Sequence, residues 1–91
     1  MFAAKIIIHP KPTVNDPQGQ TITGALHQLE FTTVESVRVG KYIVIRLDED
    51  DENLGAEKVH EMCKKMLSNP IIEDYEFILE RINSDNKIEP D

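Results

Sequence analysis

Residues 34–47 read VESVRVGKYIVIRL, and this stretch decides the fold. β-Branched and aromatic residues dominate both of its halves, which favours strands over Val34–Val39 and Tyr42–Leu47. Gly40-Lys41 separates the two halves, and glycine at the first central position of a two-residue turn is typical of a type II′ β-hairpin. The sequence therefore predicts two antiparallel strands joined by a tight turn, with a positive φ at Gly40.

The segment before this hairpin predicts a strand and then a helix. From Phe2 to His9, successive residues alternate between an apolar face and a second face, which is the pattern of a strand. Asp16 is a favourable helix N-cap, and Pro17 suits the first helical position because no backbone N–H is needed there. Four apolar residues then recur at helical spacing: Ile22, Ala25, Leu26 and Leu29. This helix should therefore bury one face.

The segment after the hairpin repeats the pattern. The acidic run 48–52 predicts a solvated loop whose charges favour the start of the next helix. Apolar residues at helical spacing follow from Ala56 to Leu67, and Asn69-Pro70 ends that helix and turns the chain. A last strand is predicted over 75–80, where Tyr75 begins an alternation of apolar and polar residues.

The predicted element order is β-α-β-β-α-β, the ferredoxin-like arrangement of the α+β class. It implies a four-stranded antiparallel sheet with two helices on one face. We predict a single domain over residues 1–82 and a flexible acidic C-terminal tail over residues 83–91. The opposite sheet face would carry several apolar side chains, so a second copy or another chain is expected to cover it. These side chains are Ile7, Tyr42, Val44 and Ile78.

Charge and composition exclude several classes of protein. The net charge is −7, and it is unevenly placed: residues 1–47 carry +2 and residues 48–91 carry −9. An acidic chain is repelled by phosphate backbones, so nucleic-acid binding is not expected. No apolar run reaches the roughly 18–20 residues that a membrane span needs. The N-terminus lacks the pattern of a signal peptide, and one cysteine allows no internal disulfide, so we predict a cytoplasmic protein.

A search for catalytic, cofactor-binding or metal-binding residues predicts none. The acidic run lacks the glycine and glutamate of a calcium loop, and His60 with Cys63 supplies only two metal ligands. Cys63 has no adjacent base to activate it as a nucleophile. The residues Asp16-Pro17-Gln18-Gly19 leave two interpretations open, a simple helix cap or a helix N-terminus that binds an anion or a partner's carboxylate.

Three segments taken together resemble a known family. They are DPQG at 16–19, VRVGKYI at 37–43 and MCKKMLSNPIIEDY at 62–75. In this order and spacing they resemble PurS, the small subunit of phosphoribosylformylglycinamidine synthase, and the resemblance runs from about Lys5 to Glu80. Two positions depart from the family pattern: Glu30 stands where glycine is expected after the first helix, and Asn15 precedes Asp16 where an apolar residue is usual. The first helix is therefore expected to end in another way than with a left-handed glycine.

The resemblance implies a noncatalytic assembly subunit of a multi-chain enzyme of purine biosynthesis. A PurL-like synthetase chain would use ATP and magnesium, and a PurQ-like glutaminase chain would release ammonia. The PurS-like chain would bind no cofactor itself, would form a dimer or larger oligomer, and would bridge the two large chains to support ammonia transfer.

Nine residues are singled out on these grounds. The candidate partner interface consists of Asp16, Gln18, Arg38 and Lys41, and the candidate structural motif consists of Pro17, Gly19, Gly40, Asn69 and Pro70. Two other interpretations stay open: a stand-alone ferredoxin-like regulatory domain that binds a small molecule, and a small enzyme in its own right. Co-purification with large chains or with a metabolite would discriminate between the subunit and the regulatory domain.

Overall fold

The computed structural model describes residues 1–83, so all but the first residue of the predicted tail 83–91 lies outside the described part of the chain. Three strands and two helices follow in the order β1, α1, β2, α2 and β3. They span Phe2–Pro10 (β1), Pro17–Gln28 (α1), Lys41–Leu47 (β2), Glu52–Met62 (α2) and Glu73–Arg81 (β3). A π-helical turn, Cys63–Leu67, extends α2. No helix within residues 1–83 is long and apolar enough to cross a bilayer.

The strands form an antiparallel sheet in the order β2-β1-β3, which gives an α+β fold. In the middle strand, Ile6 lies opposite Ile43 of β2 and Phe77 of β3. The predicted alternation of β1 is confirmed, since Ile6 is fully buried whereas its neighbour Ile7 is exposed. Helix α2 packs on the buried face, where Val59 and the first residue of the π-helical turn complete the core.

Helix α1 leaves the sheet instead of covering it. The elements that pack closely on one another are the three strands, α2 and the π-helical turn, and α1 is not among them. Its predicted apolar stripe is largely exposed, including Ile22 and Leu29. The expectation that both helices cover one face is therefore met by α2 alone within residues 1–83. We call residues 11–40, which contain α1 and the segment that returns to β2, the arm.

The predicted hairpin is not formed. Residues 34–40 belong to no strand, so the sheet has three strands within the described chain. Gly40 does not have a positive φ, and the type II′ turn predicted there is wrong. A Cβ at Gly40 would lie 2.5 Å from the carbonyl oxygen of Ile8, so glycine is required because the neighbouring backbone passes too close for a side chain.

The end of α1 is formed without glycine, as expected. Glu30 has a φ of 73°, so a left-handed residue does end the helix although it is not glycine. The N–H of Glu30 donates to the carbonyl of His27 and that of Phe31 donates to the carbonyl of Leu26. These two hydrogen bonds are those of a Schellman motif.

Candidate interaction site

Asp16 joins the two halves of the arm. Its Oδ1 accepts a hydrogen bond from the N–H of Gly19 at 3.0 Å, which confirms Asp16 as the N-cap of α1. Its Oδ2 accepts from the N–H of Val39 at 2.8 Å, just before β2. The N–H groups of Val39 and Gly19 lower the pKa of Asp16, with a smaller contribution from the positive charge of Arg38. The carboxylate therefore occupies the helix N-terminus that could otherwise have held an anion.

The next residues of the same motif fix the start of α1. Pro17 is the first helical residue, as predicted, and Gln18 is exposed in the first turn. Gly19 is buried, and a Cβ there would lie 2.1 Å from the carbonyl oxygen of Val37. Glycine is therefore needed because the returning segment crosses directly over the helix.

Arg38 and Lys41 lie at the base of the arm. Arg38 is exposed, and its Nη2 donates to the carbonyl oxygen of Lys11 at 2.7 Å. The Nζ of Lys41 lies 3.8 Å from a carboxylate oxygen of Glu73. Because the Arg38 bond occupies one nitrogen of an exposed guanidinium, the other donors of its planar fork still face solvent. With Asp16, these side chains form a mixed-charge surface at one end of the sheet.

Lys11 is a residue that the sequence patterns did not single out. It lies between two prolines, and no helical or strand periodicity marks it. Its N–H donates to the carbonyl of Ile72 at 2.9 Å, and its Nζ pairs with a carboxylate oxygen of Asp74 at 2.6 Å. Lys11 thereby holds the base of the arm against the start of β3.

The predicted turn at Asn69-Pro70 is present beside this point. The Oδ1 of Asn69 accepts from the N–H of Ile71 at 3.1 Å, and its carbonyl oxygen accepts from the N–H of Glu73 at 2.7 Å. The N–H of Asn69 in turn donates to the Glu73 carboxylate at 2.8 Å. Asn69 is therefore bonded on both its backbone and its side chain, and the chain is turned into β3.

The sheet face opposite α2 is open. Ile7, Tyr42 and Ile78 are exposed on it, as the strand alternation predicts. They line a shallow groove of about 300 Å³ together with Lys5 and a few neighbours. The Nζ of Lys5 pairs with Glu80 across two strands at 2.8 Å. An exposed apolar strip bordered by an ion pair is typical of a surface that another protein chain covers.

The residues considered for metal or nucleophilic chemistry have structural partners. The Nδ1 of His60 lies 2.9 Å from the hydroxyl oxygen of Tyr75. Cys63 is fully buried, and burial raises the pKa of its thiol, which disfavours the reactive thiolate. In the acidic loop, Asp51 caps α2 by accepting from the N–H groups of Asn53 and Leu54, and Glu49 pairs with Lys58. The loop charges thus support the helix start, as predicted.

Comparison with protein families places almost the whole chain in one of them. Residues 3–81 match the model of the family described as PurS, phosphoribosylformylglycinamidine (FGAM) synthase. The PurS subunit of phosphoribosylformylglycinamidine synthase from Bacillus subtilis is 38% identical over 82 residues, which are 90% of this chain and 96% of that protein. The corresponding subunit from Methanocaldococcus jannaschii is 44% identical over 82 residues, with coverage of 90% and 99%.

Solved structures agree with this result. The crystal structure of M. jannaschii PurS has a TM-score of 0.80 and covers 91% of this chain and all of that chain. That protein is described as one of the subunits of formylglycinamide ribonucleotide amidotransferase in the purine biosynthetic pathway. A chain in the structure of PurLQS from Thermotoga maritima has a TM-score of 0.77 at 27% identity, with coverage of 88% and 99%.

Proposed function

Because this chain belongs to the PurS family of phosphoribosylformylglycinamidine synthase subunits, we propose that it is the noncatalytic assembly subunit of that enzyme in purine biosynthesis. It bridges a PurL-like synthetase chain and a PurQ-like glutaminase chain and supports the transfer of ammonia between them. The observation that carries this proposal is the similarity to the chain in the T. maritima PurLQS structure, which extends over 88% of this chain.

In this proposal each of the three chains of the enzyme has a separate task. The PurL-like chain uses ATP and magnesium for the amidination, and the PurQ-like chain hydrolyses glutamine. This subunit binds neither nucleotide nor metal, and it acts in the cytoplasm. Its buried Cys63 supports the proposal, because a fully buried thiol with a raised pKa is unsuited to act as the glutaminase nucleophile.

The surface at the base of the arm is the proposed contact with the large chains. Asp16, Gln18, Arg38 and Lys41 lie there on connected segments, and three of the four are exposed. Arginine and lysine at an exposed junction can pair with carboxylates of another chain, and arginine can do so through two parallel hydrogen bonds. Pro17, Gly19, Gly40, Asn69 and Pro70 support this surface by fixing the backbone around it.

Self-association completes the fold in this proposal. The ferredoxin-like arrangement has four strands and two helices on one face, whereas the described chain has three strands and one helix packed on the sheet. A dimer or larger oligomer would also cover the open face opposite α2, since that face exposes apolar side chains that another chain can bury.

Reconstitution with the two large chains tests the bridging role. Alone, the chain should neither hydrolyse glutamine nor consume ATP. Glutamine-dependent amidination by the PurL-like and PurQ-like chains should require it, whereas amidination with ammonia supplied directly should depend on it much less. Equal glutamine-dependent turnover with and without the subunit would rule out the bridging role.

A further inference from the structure

The outer edge of β3 is a long strand edge without a partner in the described chain. β3 pairs with β1 on one side, and no strand of residues 1–83 lies on its other side. The strand spans the nine residues Glu73–Arg81, which include neither proline nor lysine, two residues that commonly protect an exposed edge. An edge of this kind is a template on which another extended segment can pair.

The register of β3 on β1 determines which backbone groups face this edge. The N–H of Lys11 donates to the carbonyl of Ile72 at 2.9 Å, and the N–H of Ile82 donates to the carbonyl of Met1 at 3.0 Å. These two bonds lie at opposite ends of the ladder, and both place even-numbered residues of the β3 segment in the positions that bond β1. The odd-numbered residues therefore direct their N–H and C=O groups outward. In the middle of the strand they are Tyr75, Phe77 and Leu79.

The outward groups of these three residues are unpaired. At the start of the strand, the N–H of Glu73 is already bonded to the carbonyl of Asn69. From Tyr75 to Leu79, no backbone group elsewhere in residues 1–83 bonds the outward N–H and C=O groups. The edge therefore presents three donors and three acceptors at the spacing of a strand.

The α2 side of this edge is apolar and only partly covered. Tyr75, Phe77 and Leu79 direct their side chains to this side, and all three are half-buried. The exposed ring of His60 lies edge-on to Phe77, with 4.8 Å between the ring centroids. A segment added beside β3 would cover the outer flank of these side chains. Apolar residues are therefore the ones that suit its α2 side.

The opposite side of the edge is acidic. Glu76 and Glu80 lie there with Ile78 between them, and all three are exposed. Glu80 pairs with Lys5 at 2.8 Å, whereas Glu76 forms no ion pair within residues 1–83. Opposite charges on neighbouring strands stabilise their pairing. A lysine or arginine beside Glu76 is therefore expected in an added strand.

A second copy of β3 does not have this chemistry. The range Glu73–Arg81 contains four carboxylates and one arginine. Two such strands side by side would bring like charges together, which destabilises strand pairing. The segment that suits this edge therefore belongs to a different chain.

The edge is continuous with the surface at the base of the arm. Glu73 pairs with Lys41 at 3.8 Å, and Asp74 pairs with Lys11 at 2.6 Å, so the first two residues of β3 belong to both surfaces. A chain that contacts the base of the arm reaches the edge of β3 without a gap.

We propose that the outer edge of β3 binds an extended segment of the large chain that contacts the base of the arm, as an added strand. The segment alternates apolar residues on the α2 side with basic residues on the other, one of them beside Glu76. Main-chain hydrogen bonds to Tyr75, Phe77 and Leu79 provide affinity, and the alternating side chains provide selectivity. The inference rests on the proposed bridging role and specifies how one of its two contacts is made.

Hydrogen exchange resolved to single residues tests the added strand in the reconstituted complex. In the chain alone, the amides of Tyr75, Phe77 and Leu79 should exchange fast, and those of Glu76 and Ile78 should exchange slowly because they bond β1. Binding of the large chain should slow the first set by about tenfold or more and change the second set little. A complex that forms without slowing the first set would overturn the inference and leave the bridging role standing. Failure of the large chains to bind at all would overturn both.

A change confined to one backbone nitrogen gives a second test. Cys63 allows residues 63–91 to be made as a synthetic peptide and ligated to residues 1–62. N-methylation of Phe77 removes its outward N–H and adds a methyl group to the edge, but it keeps the side chain and the bonds to β1. Affinity for the large chain should fall by about tenfold or more. The ligated chain without the methyl group is the matched control, and equal affinity of the two would contradict the proposal.

Charge reversal tests the chemistry of the added strand. Glu76→Lys should weaken binding of the large chain by about tenfold, since an attraction becomes a repulsion. Glu57→Lys makes the same change of net charge on the exposed side of α2 and should leave the affinity unchanged. Equal losses in the two variants would show that only overall charge matters, and would overturn the assignment of a basic segment to this edge.

Discussion

Glu30 adopts a left-handed backbone conformation that is unfavourable for a residue with a side chain. Left-handed backbone at a residue with a Cβ costs roughly 1–2 kcal/mol, and Glu30 has a φ of 73°. The two hydrogen bonds of the Schellman motif, donated by Glu30 and Phe31, hold it there. The resemblance to PurS led us to expect glycine here, and the structure gives a physical reason for that expectation: the helix ends in a left-handed conformation, which glycine adopts most easily.

Glu30→Gly should therefore stabilise α1, by about 1 kcal/mol, because glycine adopts positive φ without the steric cost. Hydrogen exchange of the α1 amides should slow accordingly. Gln28→Gly is the matched control. It places glycine at a helical position two residues earlier, where it should lower helix stability by up to about 1 kcal/mol. Equal effects of the two changes would argue against strain at Glu30.

Asp16 gives the arm a dependence on pH. Its carboxylate accepts from Val39 and Gly19, and these hydrogen bonds lower its pKa below the ordinary 3.8. A group with a lowered pKa stabilises the folded state fully above its unfolded value, and the contribution is lost as the pH falls through the folded value. The arm should therefore loosen as the pH falls below about 4.

Asp16→Asn should remove this dependence. The amide keeps one acceptor oxygen, so it can bond Gly19 or Val39 but not both, and it does not titrate. The α1 amides of the variant should exchange faster than wild type at pH 6, and the gap should narrow as wild type loses its carboxylate at low pH. A gap of constant size across this range would mean that other carboxylates, such as Glu49 and Glu61, cause the acid sensitivity.

At the scale of elements, helix α1 lies directly against the segment that returns along it, and the closest approach is at Gly19. A Cβ at Gly19 would lie 2.1 Å from the carbonyl oxygen of Val37, closer than any side-chain atom can come. A Cβ at Gly24, one and a half turns further along the same helix, would meet no atom within 4 Å. Packing therefore requires glycine at Gly19, whereas the space around Gly24 would admit a side chain.

Alanine at Gly19 and alanine at Gly24 should change the free energy of unfolding in opposite directions. Gly19→Ala should force the returning segment away from the helix and lower stability by about 1–3 kcal/mol, the usual cost of overpacking. Gly24→Ala should raise it by up to about 1 kcal/mol, since alanine is the better helix former. Urea unfolding followed by circular dichroism measures both. Similar midpoints for the two variants would show that the segment does not lie against Gly19.

At the scale of the whole molecule, the fold divides into a packed body and an exposed arm joined at one end of the sheet. The body consists of the three strands, α2 and the π-helical turn around the fully buried Ile6, Ile8 and Val59. The base of the arm is fastened by Lys11, through Ile72, Asp74 and the guanidinium of Arg38. Residues at this junction can therefore affect assembly without belonging to the core.

Arg38→Ala and Lys41→Ala test whether the junction contacts a partner. Both side chains are exposed, so folding should lose at most about 1 kcal/mol for Arg38, from its bond to Lys11, and less for the Lys41 ion pair. Contacts with acidic groups of a large subunit would be worth about 1–3 kcal/mol, a roughly five- to hundredfold loss of affinity. Binding titrations and thermal melts on the same variants separate the two effects.

Arg38→Lys is the control for this experiment. It keeps the charge but loses the planar fork, so a bidentate contact should weaken while a purely electrostatic one should survive. Unchanged partner affinity in both alanine variants would remove the pair from the interface and leave these residues a role within the arm alone.

Much of the protein follows from local sequence. Asp16-Pro17 specifies the start of α1 because a cap acts on groups within a few residues, and the structure confirms it. The alternation in β1 specifies which residues the core buries, because the side-chain period of a strand is fixed. Asn69-Pro70 ends the second helical segment for an equally local reason. The segments at 16–19, 37–43 and 62–75 also sufficed to identify the family.

Only the tertiary structure decided the path of the chain at Gly40. A two-residue hairpin and a straight passage have the same local sequence, VRVGKYI, and differ in which distant groups they meet. Here the backbone of Ile8 lies against Gly40, and the carboxylate of Asp16, 23 residues before Val39, holds the N–H of that residue. Contacts between residues far apart in the chain outweigh the local preference for a turn, and no pattern within 34–47 contains them.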